Sequence, residues 1–176
     1  AMSVTDGEIQ DVRIHIRGSH LSLGESVSRL FPRIFAGRDQ TAIDSSASGR
    51  LQLAQWLTDV EDGAGPLVSR VIVNRIWPGP FGRGLVATPD NFGKLGDEPS
   101  HPKLLDWLAH SLVESGWSIK ALHRLILLSS TYRMSTRYDS EAAHVDPQNL
   151  LYWRMNRRRL EAEAIRDALL FVGGQL

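Results

Sequence analysis

Residues 11–17, DVRIHIR, set Val12, Ile14 and Ile16 against Arg13, His15 and Arg17. A period of two places alternate side chains on opposite faces, so this stretch predicts a half-buried strand, the only convincing one in the chain. Gly18 and Gly24 bracket a loop after it. Residues 28–49 then carry Pro32, Gly37 and a serine-rich run at 45–48, the composition of an irregular lead-in or linker.

From Ser48 the period becomes helical. In GRLQLAQWLTD, Leu51, Ala54 and Leu57 share a face with Leu53 and Trp56 beside it, and Gly63 and Gly65 stop the helix. Pro66 sits in a first helical turn, where its missing N–H costs nothing, ahead of Leu67, Val68, Val71, Ile72 and Ile76. PGP at 78–80 is expected to end that helix by removing donors and fixing φ. A third helix is capped by Ser100 or His101, buries Leu104, Leu105, Leu108 and Leu112, and closes at Gly116. A fourth starts at the cap Ser118 with Ile119, Leu122, Leu125, Ile126 and Ser129 on one stripe. The short gap makes these two neighbours. Asp146 and Pro147 read as the N-cap and first residue of a last helical region, broken near Asn156 and ending at Gly173–Gly174. No internal repeat and no low-complexity segment interrupts this series. The sum is a mostly α protein: an irregular orthogonal helical bundle with a long structured inter-helix loop, residues 45–176, behind a strand-containing lead-in, residues 1–44.

Composition narrows the chemistry. A chain of 176 residues with 42% hydrophobic positions can bury roughly two thirds of its unfolded surface without a metal or a disulfide to hold it. It has no cysteine, which removes zinc–thiolate sites, iron–sulfur clusters, a thiol nucleophile and C-x-x-C-H haem attachment from this chain. Twenty Lys plus Arg balance twenty Asp plus Glu, so no global field draws it to nucleic acid or an anionic membrane. No apolar run approaches the ~18 residues of a membrane span. Ala1 ahead of Met2 reads as a residue left from expressing a fragment, with room for a signal peptide upstream in the parent.

The stretch FGRGLVATPDNFGKLG, residues 81–96, places Gly82, Gly84 and Ala87 at the G-x-G-x-x-A spacing of a dinucleotide-binding turn. That turn needs a strand before it and a helix opening at its second glycine, to aim amides at the pyrophosphate. Here a helix precedes and Pro89 follows, so the spacing is coincidental and the chain carries no cofactor motif. The stretch reads instead as a connector in which Gly82 and Gly84 permit positive φ, Pro89 and Pro99 stiffen, and Phe81, Leu85, Val86 and Phe92 anchor. Loops this long are uncommon unless self-packed or functional. Its polar groups, with Arg75 before it, are the candidate binding residues: Arg75, Arg83, Asp90, Asn91, Asp97, Glu98 and His101. Asp97 and Glu98 are adjacent and splay, and DNFGKLGDE lacks the alternating oxygens of a calcium loop.

Elsewhere the six histidines form no H-x-x-x-H pair, and no serine lies in G-x-S-x-G. Arg154, Arg157, Arg158 and Arg159 follow Tyr152 and Trp153, a combination able to stack on bases and hold phosphates. Glu161, Glu163 and Asp167 follow at once. On a helix, Arg159 pairs with Glu163 at i, i+4 and Arg166 with Glu163 at i, i+3, so the favoured reading is an internal ion network of Arg159, Glu163, Arg166 and Asp167, which weighs against nucleic acid. The five tryptophans, at 56, 77, 107, 117 and 153, read as core.

Taken in order, SGRLQLAQWLTD, RVIVNRIW, FGRGLVATPDNFGKLGDEPSHPKLLDWLA, LHRLILLSSTYRMS and DPQNLLYWRMNRRRLEAEAIRDALL resemble the PSD1 domain, or DUF1553, of planctomycete proteins, over roughly residues 45–176. The resemblance implies a domain of unknown function, truncated here at its C-terminal side. It further implies an exported, periplasmic multidomain parent with a cytochrome-like neighbour, and the other domains of that parent as partners. One departure is WPGPFGRGLV, where relatives read a polar or histidine pair before FGRGLV; it puts in doubt any mechanism needing histidine just before Phe81. Three functions follow as expectations. The first is a non-catalytic interaction or scaffold module using the 79–101 loop, with a protein or polysaccharide ligand. The second is a fragment of a polysaccharide hydrolase using Asp90, Asp97, Glu98 and His101. The third is a nucleic-acid-binding module using residues 152–159.

Overall fold

A computed structural model describes residues 5, 7–37, 40, 42–44 and 46–175. The chain forms two compact units, residues 1–69 and 70–176, which divide inside a helix, whereas composition places a boundary after residue 44.

In the first unit the alternating stretch does form a strand, β1 (Arg13–His15), paired antiparallel with β2 (Leu23–Ser26), which lies in the stretch expected to be loop. The strand is not half-buried: Val12, Ile14 and Ile16 are all exposed on a ribbon of two strands, which no third strand extends among the described residues. The lead-in is ordered by side chains rather than by regular elements. Arg29 reaches the Asp11 carboxylate at 2.8 Å and the Asp44 carbonyl at 3.3 Å, and Gln40 brackets Phe31 by bonding both its N–H and its C=O. Short helix α1 (Arg33–Ala36) follows, then α2 (Arg50–Thr58). On α2 the expected apolar face is largely open: Leu51, Leu53 and Ala54 are exposed, and Trp56, stacked 4.7 Å from Phe31, and Leu57 are half-buried.

Helix α3 (Gly65–Ile76) stops where the prolines require, but PGP does not leave the helical region. Pro78–Phe81 make one further turn, α4, since a proline is tolerated at a first turn, and Gly82 ends it in the left-handed region at φ 87°. Then come α5 (Pro102–Glu114) and α6 (Ile119–Leu127), joined through Gly116 and Trp117, both at positive φ, and packed on each other. Ser118 caps α6 by accepting from the Ala121 N–H at 3.2 Å, and Asp139 caps α7 (Ser140–Val145) by accepting from Glu141 and Ala142. The core of this unit joins Val73, Trp77, Phe81, Leu85 and Val86 to Leu105, Leu108, Ala109, Leu112, Leu122 and Ile126.

Three expectations change here. Ile119 and Leu125 of the predicted α6 stripe are exposed, because α6 meets the core through Leu122 and Ile126 alone. Trp107 is also exposed rather than core. Asp146–Pro147 open no helix: residues 146–161 are turns, bends and irregular chain, and α8 begins only at Ala162, ending at Val172 as the Gly173 signal predicts. Asp146 still caps, but it caps a turn, its two carboxylate oxygens accepting from the Leu150 and Leu151 N–H at 2.9 and 2.7 Å. Asn149 and Tyr152, at φ 53° and 54°, break the helical register.

Candidate functional site

The 82–101 loop is built from one buried amide outward. Asn74 on α3 is fully buried; its Oδ1 accepts from the Val86 N–H at 2.8 Å and its Nδ2 donates to the Val86 carbonyl at 3.0 Å. A side-chain amide here completes the backbone bonding that a neighbouring strand would otherwise supply. Gly84 serves this clamp. It does not use positive φ as expected; a Cβ there would stand 2.5 Å from the Val86 oxygen and 2.9 Å from Asn74 Oδ1. Further along, Thr88 Oγ1 donates to the Asn91 carbonyl and accepts from the Asp97 N–H, both at 2.9 Å. A Cβ on Gly96 would meet the Asn91 oxygen at 2.0 Å, and Ser100 N–H returns to the Leu85 carbonyl at 2.8 Å. The loop is therefore fixed in shape by its own polar groups.

Against its far end lies the 146–156 turn. Buried Asn149 donates to the Arg154 carbonyl at 2.8 Å and to Asn156 Oδ1 at 3.0 Å, which carries Tyr152 inward. The Trp77 indole N–H donates to the Tyr152 hydroxyl at 2.7 Å, and the Tyr152 ring lies 5.1 Å from Phe81 and 5.6 Å from His101. Arg83, Ser100, Tyr152 and Asn156 line a cavity of only about 30 Å³, the size of a water rather than a substrate. Burial pushes the Tyr152 phenol above its ordinary 10.0, while the Trp77 N–H bond and the Arg83 charge act in the opposite direction. A raised folded pKa means that this group's stabilisation is full below the unfolded value of 10.0 and is lost as pH climbs through the folded one. Difference absorbance of the wild type minus Tyr152→Phe should therefore show a phenolate titration whose midpoint lies above pH 10.0. A midpoint at or below that point would mean a solvated phenol.

The candidate residues meet different partners. Arg75 Nη2 lies 3.4 Å from Asp90 Oδ1, both well exposed, a pair that contributes little in water. Asn91 holds the Gly93 N–H at 3.0 Å through Oδ1, a loop-building role. Arg83, Asp97 and Glu98 are exposed, and His101 is half-buried with Nδ1 3.0 Å from Ser100 Oγ. The expected ion network of Arg159, Glu163, Arg166 and Asp167 is replaced by one exposed contact among the described residues, Arg166 to Asp167 at 3.3 Å. The reason is that Arg159 lies outside α8, which begins at Ala162, so the i, i+4 geometry is missing. Of the other arginines, Arg158 donates to the Pro78 carbonyl at 3.2 Å and Arg154 lies 4.8 Å over the Trp153 ring. Among the described residues no three of His, Cys, Asp and Glu gather as metal ligands. Nor is any helix long and apolar enough to cross a membrane.

The larger concavity lies elsewhere, between α5 and α6, with a volume of about 530 Å³. Leu108 and Ile126 form its floor, and Trp107, Leu125 and Leu128 its walls. Among the described residues Arg124 is the only charged one that lines it. Sequence periodicity assigned Trp107 and Leu125 to the core, so this site was missed. The missed Asn74 left a signal: a lone amide within the apolar run RVIVNRIW.

The family described as PSD1, protein of unknown function (DUF1553), has a sequence model that matches residues 49–176. No curated protein and no solved structure matches the chain.

Proposed function

The chain belongs to the PSD1 (DUF1553) family, whose function is unknown, and from that premise we propose that residues 70–175 act as a non-catalytic interaction module that receives an amphipathic helix on the α5–α6 face. The observation that carries this reading is the groove: an apolar cleft of about 530 Å³ whose walls include exposed Trp107 and Leu128 and whose rim holds Arg124. Helices bind such clefts by laying an apolar stripe inward and keeping charges at the edge. The loop supports the same reading in a different way. Thr88 and Asn91 are engaged with backbone, and Asp90, one of the carboxyl groups of the hydrolytic alternative, faces Arg75.

The test uses a designed acidic amphipathic helical peptide, unrelated to this sequence, and 5-fluorotryptophan labelling with Trp107 assigned through Trp107→Phe. The Trp107 fluorine resonance should shift saturably with peptide, and Leu125→Lys should weaken binding at least about tenfold, the scale of placing a charge in an apolar contact. A Trp107 resonance that stays put at millimolar peptide removes the proposal.

A further inference from the structure

Helix α8 turns its apolar stripe of Ile165, Leu169 and Val172 to solvent, but its first turn borders another cavity, of about 410 Å³. Pro80 of α4, Tyr132, Met155 and Asn156 line this cavity together with the segment 158–161 that leads into the helix. None of its described lining residues lines the α5–α6 groove.

Two arginines face it. Arg158 is held in place: its Nη1 donates to the Pro78 carbonyl at 3.2 Å, and its stem runs past Gly82, where a Cβ would stand 3.6 Å from Cδ. That bond uses one N–H of the guanidinium and leaves the others for the cavity. Arg159 follows directly. Neighbouring side chains of a regular strand point to opposite sides, so both arginines line one cavity only because the backbone from 157 to 161 is irregular. Among the described residues the Arg159 guanidinium, the Glu161 carboxylate and the Tyr132 hydroxyl have no hydrogen bond or ion pair. Asn156 is already engaged, its Oδ1 accepting from Asn149 at 3.0 Å, so the donors on offer are the two guanidinium groups and the phenol.

From this lining we infer that the cavity binds a small organic carboxylate with an apolar body. Two cations against the single carboxylate of Glu161 leave one net positive charge, which a monoanion balances. Arginine presents paired N–H groups that match the two oxygens of a carboxylate. Pro80, Met155 and Leu160 supply apolar surface for the body that carries it. The volume falls in the ordinary range of small-molecule sites, about 300–1,000 Å³. A phosphate dianion fits less well, because its second charge is repelled by Glu161. The site is distinct from the α5–α6 groove and does not depend on what that groove receives.

The probe is benzoate, with benzamide as its neutral counterpart and inorganic phosphate as the competing oxyanion, all at constant ionic strength and on the full chain. In nitrogen-15 spectra assigned on the wild type, the side-chain Nε–H resonances of Arg158 and Arg159 should shift saturably with benzoate. Half-saturation is expected at about millimolar concentration, the scale for a ligand of so few atoms. Benzamide should leave both resonances in place, and phosphate should bind more weakly than benzoate. Arg159→Gln should raise the benzoate dissociation constant at least about tenfold, the scale of one charge-assisted hydrogen bond, and Glu161→Gln should lower it. Both positions are exposed, so circular dichroism should show the fold unchanged; the wild-type titrations decide the matter even where a variant misfolds. Arginine resonances unmoved at about 50 mM benzoate, an equal response to benzamide, phosphate as tight as benzoate, or folded variants without these effects would each overturn the inference. Benzoate that moves the Trp107 indole N–H and not the arginines fills the α5–α6 groove instead, which overturns this inference and leaves the reading of the groove standing.

Discussion

Replacing Phe81 by alanine is expected to lower the unfolding free energy by about 4 kcal/mol, the scale of deleting a buried aromatic ring from a core that relaxes only in part. Phe81 is among the largest fully buried side chains, its ring 4.2 Å from Trp77 and 5.1 Å from Tyr152, and edge-on to Tyr132 at 6.1 Å. It therefore joins three segments: α4, the 129–135 turn and the 146–156 turn. Urea denaturation monitored by circular dichroism reads the loss, and Phe81→Leu, which keeps much of the volume, should cost less than half as much. A loss for alanine below about 1 kcal/mol would mean that the three segments close over the gap, against the usual stiffness of packed cores.

Asn74→Ala should cost about 3 kcal/mol, since it strands both the N–H and the C=O of buried Val86, each worth about 1–3 kcal/mol when left unsatisfied. The effect has a spatial signature. Hydrogen exchange at Val86 should accelerate strongly and at the Ser100 amide, which bonds the adjacent Leu85 carbonyl, measurably, while amides in the middle of α5 keep their protection relative to global unfolding. Asn74→Asp is a sharper version of the same experiment: its carboxylate can still accept from the Val86 N–H but points a second acceptor at the Val86 carbonyl. If Asn74→Ala leaves Val86 exchange unchanged, the amide clamp does not set the shape of the loop.

The sequence foretold more of the backbone than of the site. Helices α3 and α5 start and stop, and α6 starts, within a residue or two of their proline, serine and glycine signals, because those signals act through local stereochemistry that needs no partner. The same locality exposed the glycine spacing of residues 82–87 as coincidence: a helix precedes it and Pro89 follows. Reading failed where one signal serves two outcomes. Asp146 followed by proline opens either a helix or a turn, and the choice fell to contacts such as the Trp153 indole N–H on the Asp146 carbonyl at 2.9 Å. Likewise an apolar stripe on α6 states that something covers Ile119 and Leu125 without stating what, and both are exposed.

By itself, then, the sequence determined the helical class and the places of α2, α3, α5 and α6, which follow from periodicity and from the allowed φ of proline and glycine. Only the tertiary structure decided that Asn74 holds Val86 across a separation of 12 residues and that Trp77 holds Tyr152 across 75. It alone left the α5–α6 groove and the stripe of α8 uncovered. The physical reason is that periodicity records whether a face is apolar, whereas burial is a property of pairs of faces, and a pair exists only once the chain has folded.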